Sequence, residues 1–376
     1  MKQSAKNVML LHSQAKVALY QKYLAKYLNI LSRVDFIRKI CIYDFMCGEG
    51  KYTNGEKGSA IVTFETIKNH YYSNNNSCPP ISVWMNDNGM SDIDVGKSKI
   101  ERVEELQHSI YKPATVQVKF TKYEFIEMYE QVCFELNTMP ANTRALIFID
   151  PYGYKDVRPS HLANLLGNQK TEIIFFVPIS FMYRFAEKST SDPTFSGGAS
   201  LKKFLEELGI FDNDKFESVD VFIHQLKNKF RILFNQLTYV DTFTIKRDAQ
   251  NTYALFFFTH NETGFRKMLE TKWEIDRNQG KGHRLDANPA LFSDMEISGY
   301  KIELKEYIKS GKRTNHDVFK FGLNRGYLPK HTNQTLHDLE TEGLKIIVTS
   351  QNGDRVRKSA YYLDDRKISV VIEIKD

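Results

Sequence analysis

Little in this chain of 376 residues invites metal or disulfide chemistry. Its four cysteines, Cys41, Cys47, Cys78 and Cys133, stand singly, with no Cys-x-x-Cys pair and no Cys/His spacing of the kind zinc requires. Two of them fall beside a glycine-rich loop, so reduced thiols are expected rather than disulfides. No apolar run approaches the roughly 20 residues that cross a bilayer, and the opening MKQSAKNVMLLHSQAK lacks the sustained apolar stretch of a signal peptide. A cytoplasmic protein without a membrane partner is expected. Also missing are a Walker phosphate loop, a Ser/His/Asp elbow and a metallohydrolase cluster. Charge of either sign is not in great excess: 52 Lys and Arg against 46 Asp and Glu leave +6, which suits a nucleic-acid partner or an ordinary charged surface equally. Aromatic residues, by contrast, are plentiful. With 26 Phe and 20 Tyr, the chain can build one large domain and an accessory module.

The stretch Lys39–Tyr52 organises the rest. Ile40 to Tyr43 is apolar and largely β-branched, as a buried strand reads, and Asp44 closes it before a loop containing Gly48 and Gly50. Ahead of it, Val17, Tyr20, Leu24, Tyr27, Leu28 and Leu31 recur at helical spacing with Lys16, Lys22 and Lys26 between them, an amphipathic helix over 13–32. Behind it, Ser59 is placed to cap a helix from Ala60 to His70. Strands follow at Ile81–Asp87, Thr115–Phe120, Ala145–Asp150 and Glu172–Val177, with helices at Lys97–Ser109 and Phe125–Leu136 between. Such alternation predicts an α/β, doubly wound parallel sheet. Ligands of these sheets bind beyond the carboxyl ends of the strands, so Asp44, Asp87 and Asp150 would point into one crevice. Ser196-Gly197-Gly198 reads as a loop, helices are expected near Leu201–Leu208 and Val221–Leu237, and Val240–Lys246 with Tyr253–Thr259 forms an antiparallel pair. Lys281–Asn288 is polar and reads as a linker.

Asp44-Phe45-Met46-Cys47-Gly48-Glu49-Gly50 resembles the loop with which class I S-adenosylmethionine (SAM) enzymes begin their cofactor site. The common three-glycine form has Gly where this chain has Met46. On that resemblance Asp44, Phe45, Gly48 and Gly50 would hold the cofactor, Asp44 orienting the loop or accepting from the methionyl amine. Asn86 or Asp87 would accept the ribose hydroxyls. The competing reading is an ordinary strand-turn of any α/β protein. Asp150-Pro151-Tyr152-Gly153 is similar to the Asp-Pro-Phe-Gly of tRNA guanine-N2 dimethyltransferases. Enzymes of exocyclic amines direct the nitrogen with such a carboxylate and stack the base on the aromatic, so Asp150, Pro151 and Tyr152 are the candidate catalytic residues. Here the competitor is a plain Asp-Pro turn. Tyr183-Arg184 and Asp276-Arg277 are further polar candidates near the crevice mouth, each read first as a structural pair or a solvated charge.

From about Gly299 the pattern changes. Helices at Ile302–Lys309, His316–Gly322 and Asn333–Glu342 precede Ile346–Thr349, an Asn352-Gly353 turn and Ala360–Leu363, which reads as a β-hairpin. Three helices and a hairpin predict a winged helix over 299–376, after a Rossmann-like domain over 1–290. Leu336, Leu339 and Leu344 would face its core, and Lys330, His331, Asn333, Gln334 and His337 would face outward. Arg355, Arg357 and Lys358 beside the turn suit phosphate contacts; protein contact is the alternative use.

Taken in order, the Tyr20–Ile30 helix, Tyr43-Asp44-Phe45-Met46-Cys47-Gly48-Glu49-Gly50-Lys51-Tyr52, Gly58-Ser59, Phe148-Ile149-Asp150-Pro151-Tyr152-Gly153, Phe181–Phe185 and Tyr253–His260 with Gly264, Met268 and Trp273 resemble the bacterial three-Cys-motif partner family. The resemblance implies a SAM-methyltransferase-like core and, encoded nearby, a partner with a three-cysteine, radical-SAM-like motif. Met46 and Cys47 depart from the small residues usual in that family, and Asn86-Asp87 from its usual Glu. The function expected is SAM-dependent methylation of nucleic acid at an exocyclic base amine. The alternative is a catalytically silent, nucleic-acid-binding adaptor for that partner in a bacterial defence or mobile-element system.

Overall fold

In the computed structural model the alternating strands join in one eight-stranded sheet. The structure describes residues 8–74, 77–151, 157–188, 198–211, 214–235, 238–247, 250–277, 280, 282–284, 293–351, 356, 357 and 359–375. The chain divides into two compact units, Met1–Met268 with Gly282–Asp286, and Leu269–Lys281 with Ala287–Asp376.

In the first unit the strands are β1 (Lys39–Asp44), β2 (Ile81–Asn86), β3 (Val116–Thr121), β4 (Thr143–Ile149), β5 (Thr171–Val177), β6 (Tyr239–Lys246), β7 (Thr252–Thr259) and β8 (Gly282–Arg284), in the order β3-β2-β1-β4-β5-β7-β6-β8. β1 to β5 are mutually parallel, and β7 runs against both β5 and β6. The central strands are buried on both faces, which is why they read as unbroken apolar runs: every residue of β5 is buried, and all of β1 after Lys39. The chain leaves β1 toward β2 and β3 on one side and returns to β4 and β5 on the other. A crevice opens where the direction reverses, at the carboxyl ends of β1 and β4. Asp44 is the register partner of Phe148 in the adjoining strand.

Helices α1 (Leu11–Leu31), α2 (Ser59–Ser73), α3 (Lys99–Gln107), α4 (Phe125–Asn137), α5 (Pro159–Leu166), α6 (Ile179–Lys188), α7 (Gly198–Glu207), α8 (Val219–Leu233) and α9 (Glu262–Ile275) accompany the sheet. α5, α6 and α9 were not named by the sequence pattern. α1 lays tyrosines on the sheet: Tyr20 stacks on Phe148 with ring centres 4.6 Å apart, and Tyr23 meets Phe257 edge-on at 4.9 Å. Lys16 does not share the exposed face expected of the α1 lysines; it is buried beside an acid. Ser59 is not a cap. It is the first residue of α2, and Gly58 holds the N-cap with no side-chain cap bond. Gly58 sits there because its N–H donates to the Gly50 carbonyl at 2.6 Å, drawing the helix start onto the glycine loop. The linker expected at 281–288 is in part the edge strand β8. Gly282 lets it pair with β6, since a Cβ there would lie 2.3 Å from the Thr244 carbonyl oxygen. No helix among the described residues is long and apolar enough to cross a membrane.

The second unit contains α10 (Ser293–Lys309), β9 (Arg313–Thr314), α11 (Asn315–Asn324), α12 (Pro329–Thr341), β10 (Lys345–Ser350) and β11 (Val370–Lys375), its sheet ordered β10-β11-β9 and antiparallel. The hairpin is a correction to the sequence reading. β10 pairs with β11, not with Ala360–Leu363. Tyr362 adopts φ 51°, which no strand allows, while Tyr361 and Leu363 turn inward. The Asn352-Gly353 turn lies outside the described residues, as does Ser196-Gly197. Asn315, itself buried, ties this loop down. Its Nδ2 donates to the carbonyls of Tyr362 at 2.8 Å and Ile368 at 3.0 Å, and its Oδ1 accepts from Val370 N at 3.2 Å. Leu336 and Leu339 are buried as expected; Leu344 is half-buried.

Candidate active site

The glycine loop after β1 is held from three sides. Gly48 and Gly50 have φ of 65° and 71°, the left-handed region that a Cβ disfavours. The Asp87 carboxylate reaches across from the end of β2, its Oδ2 accepting from Gly48 N at 2.9 Å and its Oδ1 from Gly89 N at 2.8 Å, with Lys99 Nζ 4.0 Å away. Asn86 is engaged by the strand ends. Its Nδ2 donates to Phe45 O and Tyr123 O, and its Oδ1 accepts from Thr121 Oγ1 and Tyr123 N, all between 2.8 and 3.1 Å. The third support is Arg102 of α3. Its Nη1 donates to the carbonyls of Glu49 at 2.6 Å and Lys51 at 2.5 Å, and its Nε to Asp94 at 2.9 Å. Glu49 completes the clamp, its carboxylate accepting from Ser91 Oγ at 2.8 Å and Asp92 N at 2.7 Å. Sequence reasoning missed Arg102 and Glu49. The available signal was an arginine between Ile100 and Val103, on what becomes the buried side of α3.

Asp44 is fully buried. Its Oδ1 accepts from Met46 N at 3.3 Å, while Oδ2 has no hydrogen-bond partner among the described residues. Burial raises its pKa to about 7, the Ser59 hydrogen bond opposes that rise, and the neighbouring Asp150 and Asp87 charges add to it. An acid whose folded pKa is raised binds its proton more tightly folded than unfolded. The associated stability is complete below the unfolded value of 3.8, is lost as pH rises toward 7, and changes little above that. Asp44→Asn, which cannot ionise, is therefore expected to stabilise the protein at pH 8 by about 2–4 kcal/mol and much less at pH 4. Thermal melts of both proteins at the two pH values measure this, and an equal shift at both would exclude ionisation as the cause.

Across the crevice Asp150 follows β4, and its Oδ2 forms a close ion pair with Lys16 Nζ of α1. That ammonium also lies 4.5 Å from the ring centre of Phe176 on β5. Phe176 stacks on Tyr253 of β7 at 5.4 Å and 15°, and Tyr253 on His12 at 4.6 Å and 3°. Desolvation, helped by Lys16 and Arg247, lowers the His12 pKa to about 4, so its ring is neutral near pH 7. Lys16, His12, Phe176 and Tyr253 were not identified from sequence. Pro151 is half-buried, and Tyr152 lies outside the described residues. Of the two further candidates, Tyr183 donates its hydroxyl to Phe216 O at 3.1 Å and Arg184 bonds the Ser180 carbonyl of its own helix at 3.1 Å. Asp276 and Arg277 fall in the second unit.

In that unit Lys330 and Gln334 are exposed on α12, Gln334 donating to Asp338 at 2.8 Å. Asn333 and His337 line an open groove of about 660 Å³ whose other wall is Ser359–Lys367. His331 departs from its expected outward position. Its Nδ1 accepts from Leu328 N at 3.2 Å and its ring lies 3.8 Å from that of Trp273. Burial, with Lys330 adjacent, lowers its pKa to about 4. Arg357 is exposed; Arg355 and Lys358 lie outside the described residues.

No family model and no curated protein matches the chain. Among solved structures it is similar to a Legionella pneumophila protein of the DUF519 family model, at 12% identity over 75% of this chain and 95% of that one, with a TM-score of 0.43. It is also similar to the plantazolicin methyltransferase BamL, solved with S-adenosylhomocysteine (SAH), at 12% identity over 66% and 86% of the two chains and a TM-score of 0.28. Loganic acid methyltransferase with SAH aligns at 13% identity over 99% and 98%, with a TM-score of 0.24. These likenesses are distant, and the strand order speaks for itself: five parallel strands reversed about β1 and β4, followed by β7 inserted against the direction of β5 and β6, make a Rossmann-like sheet of the SAM-methyltransferase type.

Proposed function

We propose that the crevice binds SAM and that the chain is a methyltransferase-like protein acting on an exocyclic amine of a nucleic-acid base, working with a three-Cys-motif partner. The observation that carries this reading is the pairing, across one reversal of strand order, of a left-handed glycine loop behind β1 with Asp150-Pro151 behind β4. The residues fit the cofactor. Asp44 Oδ2 is a buried acceptor without a partner among the described residues, suited to an ammonium, and Gly48 turns the loop backbone at φ 65°, where a side chain is strained. When bound, SAM supplies a methyl group activated by a sulfonium. Asp44 would then accept from the methionyl amine. Asp87 would keep the loop in register through Gly48 N and offer its remaining lone pairs to the ribose. Asp150 would orient the acceptor nitrogen, which can release its proton after transfer, so a strong base is not required.

Two features support the nucleic-acid part. The helices α10 to α12 with a sheet that places the last strand between the first two follow the plan of a winged helix, and Lys330, Gln334 and Arg357 are exposed on it. A second reading, the silent adaptor, is favoured by one observation: Asp150, the candidate amine acceptor, is already paired with Lys16. Calorimetric titration separates the two. Wild type is expected to bind SAH at micromolar strength, and Gly48→Val to bind none while keeping its circular dichroism, because a branched residue is strained at φ 65°. A folded wild type that binds neither SAM nor SAH leaves the adaptor.

A further inference from the structure

The Lys16 side chain has an unusual setting for a lysine. It is 8% exposed, its ammonium lies against the Asp150 carboxylate, and the same atom lies over Phe176, the last ring of the His12–Tyr253–Phe176 stack. The three rings form parallel layers, and Lys16 supplies the fourth. A fourth layer that donates N–H to a carboxylate while covering an aromatic face is also what a flat heterocycle with an exocyclic amino group would provide.

We propose that Lys16 holds the acceptor's place in the resting protein, and that a planar amino-heterocycle enters by displacing it, stacking on Phe176 and donating its amine to Asp150. The inference deepens the proposed methyl transfer and rests on that reading for its purpose, although the binding itself requires no cofactor. Several features suit a displaceable occupant. Lysine carries its charge on a flexible four-carbon stem and holds the carboxylate as a point charge, where an arginine fork would hold on at two points. The rest of the stack carries no competing charge, since burial keeps the His12 ring neutral. Asp150 must be re-partnered once Lys16 leaves, because a carboxylate half out of water without a donor is costly. A ligand with an amino group supplies that donor. Its oxo counterpart supplies none at that position, so the subsite selects amine over carbonyl.

Equilibrium binding of adenosine and cytidine, against inosine and uridine, tests this on the full-length protein. The amino nucleosides are expected to bind about tenfold tighter than their oxo counterparts, and Lys16→Met to tighten only the amino pair by about tenfold more. A second measurement needs no variant. Acylation of Lys16 by a hydroxysuccinimide ester, followed by mass spectrometry, should be slow in the free protein and several-fold faster with saturating cytidine. Equal binding of amino and oxo nucleosides overturns the proposal, as does failure of both amino nucleosides to bind at millimolar concentration. Unchanged acylation overturns it even if Lys16→Met does not fold. SAM titration of the same samples keeps the two readings apart: amine selection without SAM binding sinks the methyl-transfer reading alone, and SAM binding without amine selection sinks the subsite alone.

Discussion

Arg102→Ala is expected to destabilise the protein by about 3–5 kcal/mol, the magnitude for removing one partner from a buried charged network. The guanidinium holds the carbonyls of Glu49 and Lys51 together with two carboxylates, those of Glu49 and Asp94. Taking it away leaves Glu49, 3% exposed, as a buried anion whose remaining donors are Ser91 Oγ and Asp92 N. Arg102→Lys should recover only part of the loss, because an ammonium cannot reach both carbonyls and Asp94 from one planar fork. The same change should weaken SAH binding beyond detection if the loop carries the cofactor, since Gly50 sits inside the clamp, with its missing Cβ 2.9 Å from Val103. Urea unfolding together with calorimetry reads both effects. A loss of stability under 1 kcal/mol would mean that the loop keeps its shape without the arginine.

Asp150→Ala is expected to lower turnover by two or more orders of magnitude while leaving SAM affinity nearly unchanged. Orientation of the acceptor is worth several kcal/mol, and this carboxylate is the polar group that the described residues place behind β4. Asp150→Asn separates orientation from charge. The amide oxygen can still accept from an amine, so Asn should retain far more activity than Ala, although it gives up the ion pair with Lys16. The assay incubates wild type and both variants with labelled SAM and mixed cellular DNA and RNA, with and without a three-Cys-motif protein of the proposed kind. Equal label from wild type and Asp150→Ala removes the carboxylate from the mechanism. SAM binding without transfer under any condition returns the chain to the adaptor reading.

The sheet was legible because its strands are of the kind that sequence shows best. Strands such as β5 carry an unbroken apolar run, Ile173 to Val177, and in β1, β2 and β4 the acid that follows the run marks the carboxyl end. α5 and α6 escaped because they are short and follow closely on strand β4 or β5, where helical periodicity has no length in which to appear. β11 escaped because Ala360–Leu363 is nearer to β10 and equally aromatic or apolar; only the φ of Tyr362 excludes it. The crevice acids could be read from sequence, but their partners could not. Arg102 reaches a loop fifty-three positions earlier, and Lys16 an acid 134 positions later. Neither pairing leaves a local pattern. His331 looked outward by spacing, and only Trp273, on α9, explains why it is not.

The long reach of α1 has a consequence for how the chain is made. Its Tyr20 rests on Phe148 and its Tyr23 on Phe257, so this helix leaves the ribosome well before the strands it packs on. At typical rates of synthesis, β7 follows α1 by about 10–50 seconds. Through that interval Tyr23 is without the ring that it packs against, and the central β1–β4 pairing cannot close until residue 149 has emerged. A truncated product ending before β7 would keep the Tyr20–Phe148 contact and lack the ring on which Tyr23 rests.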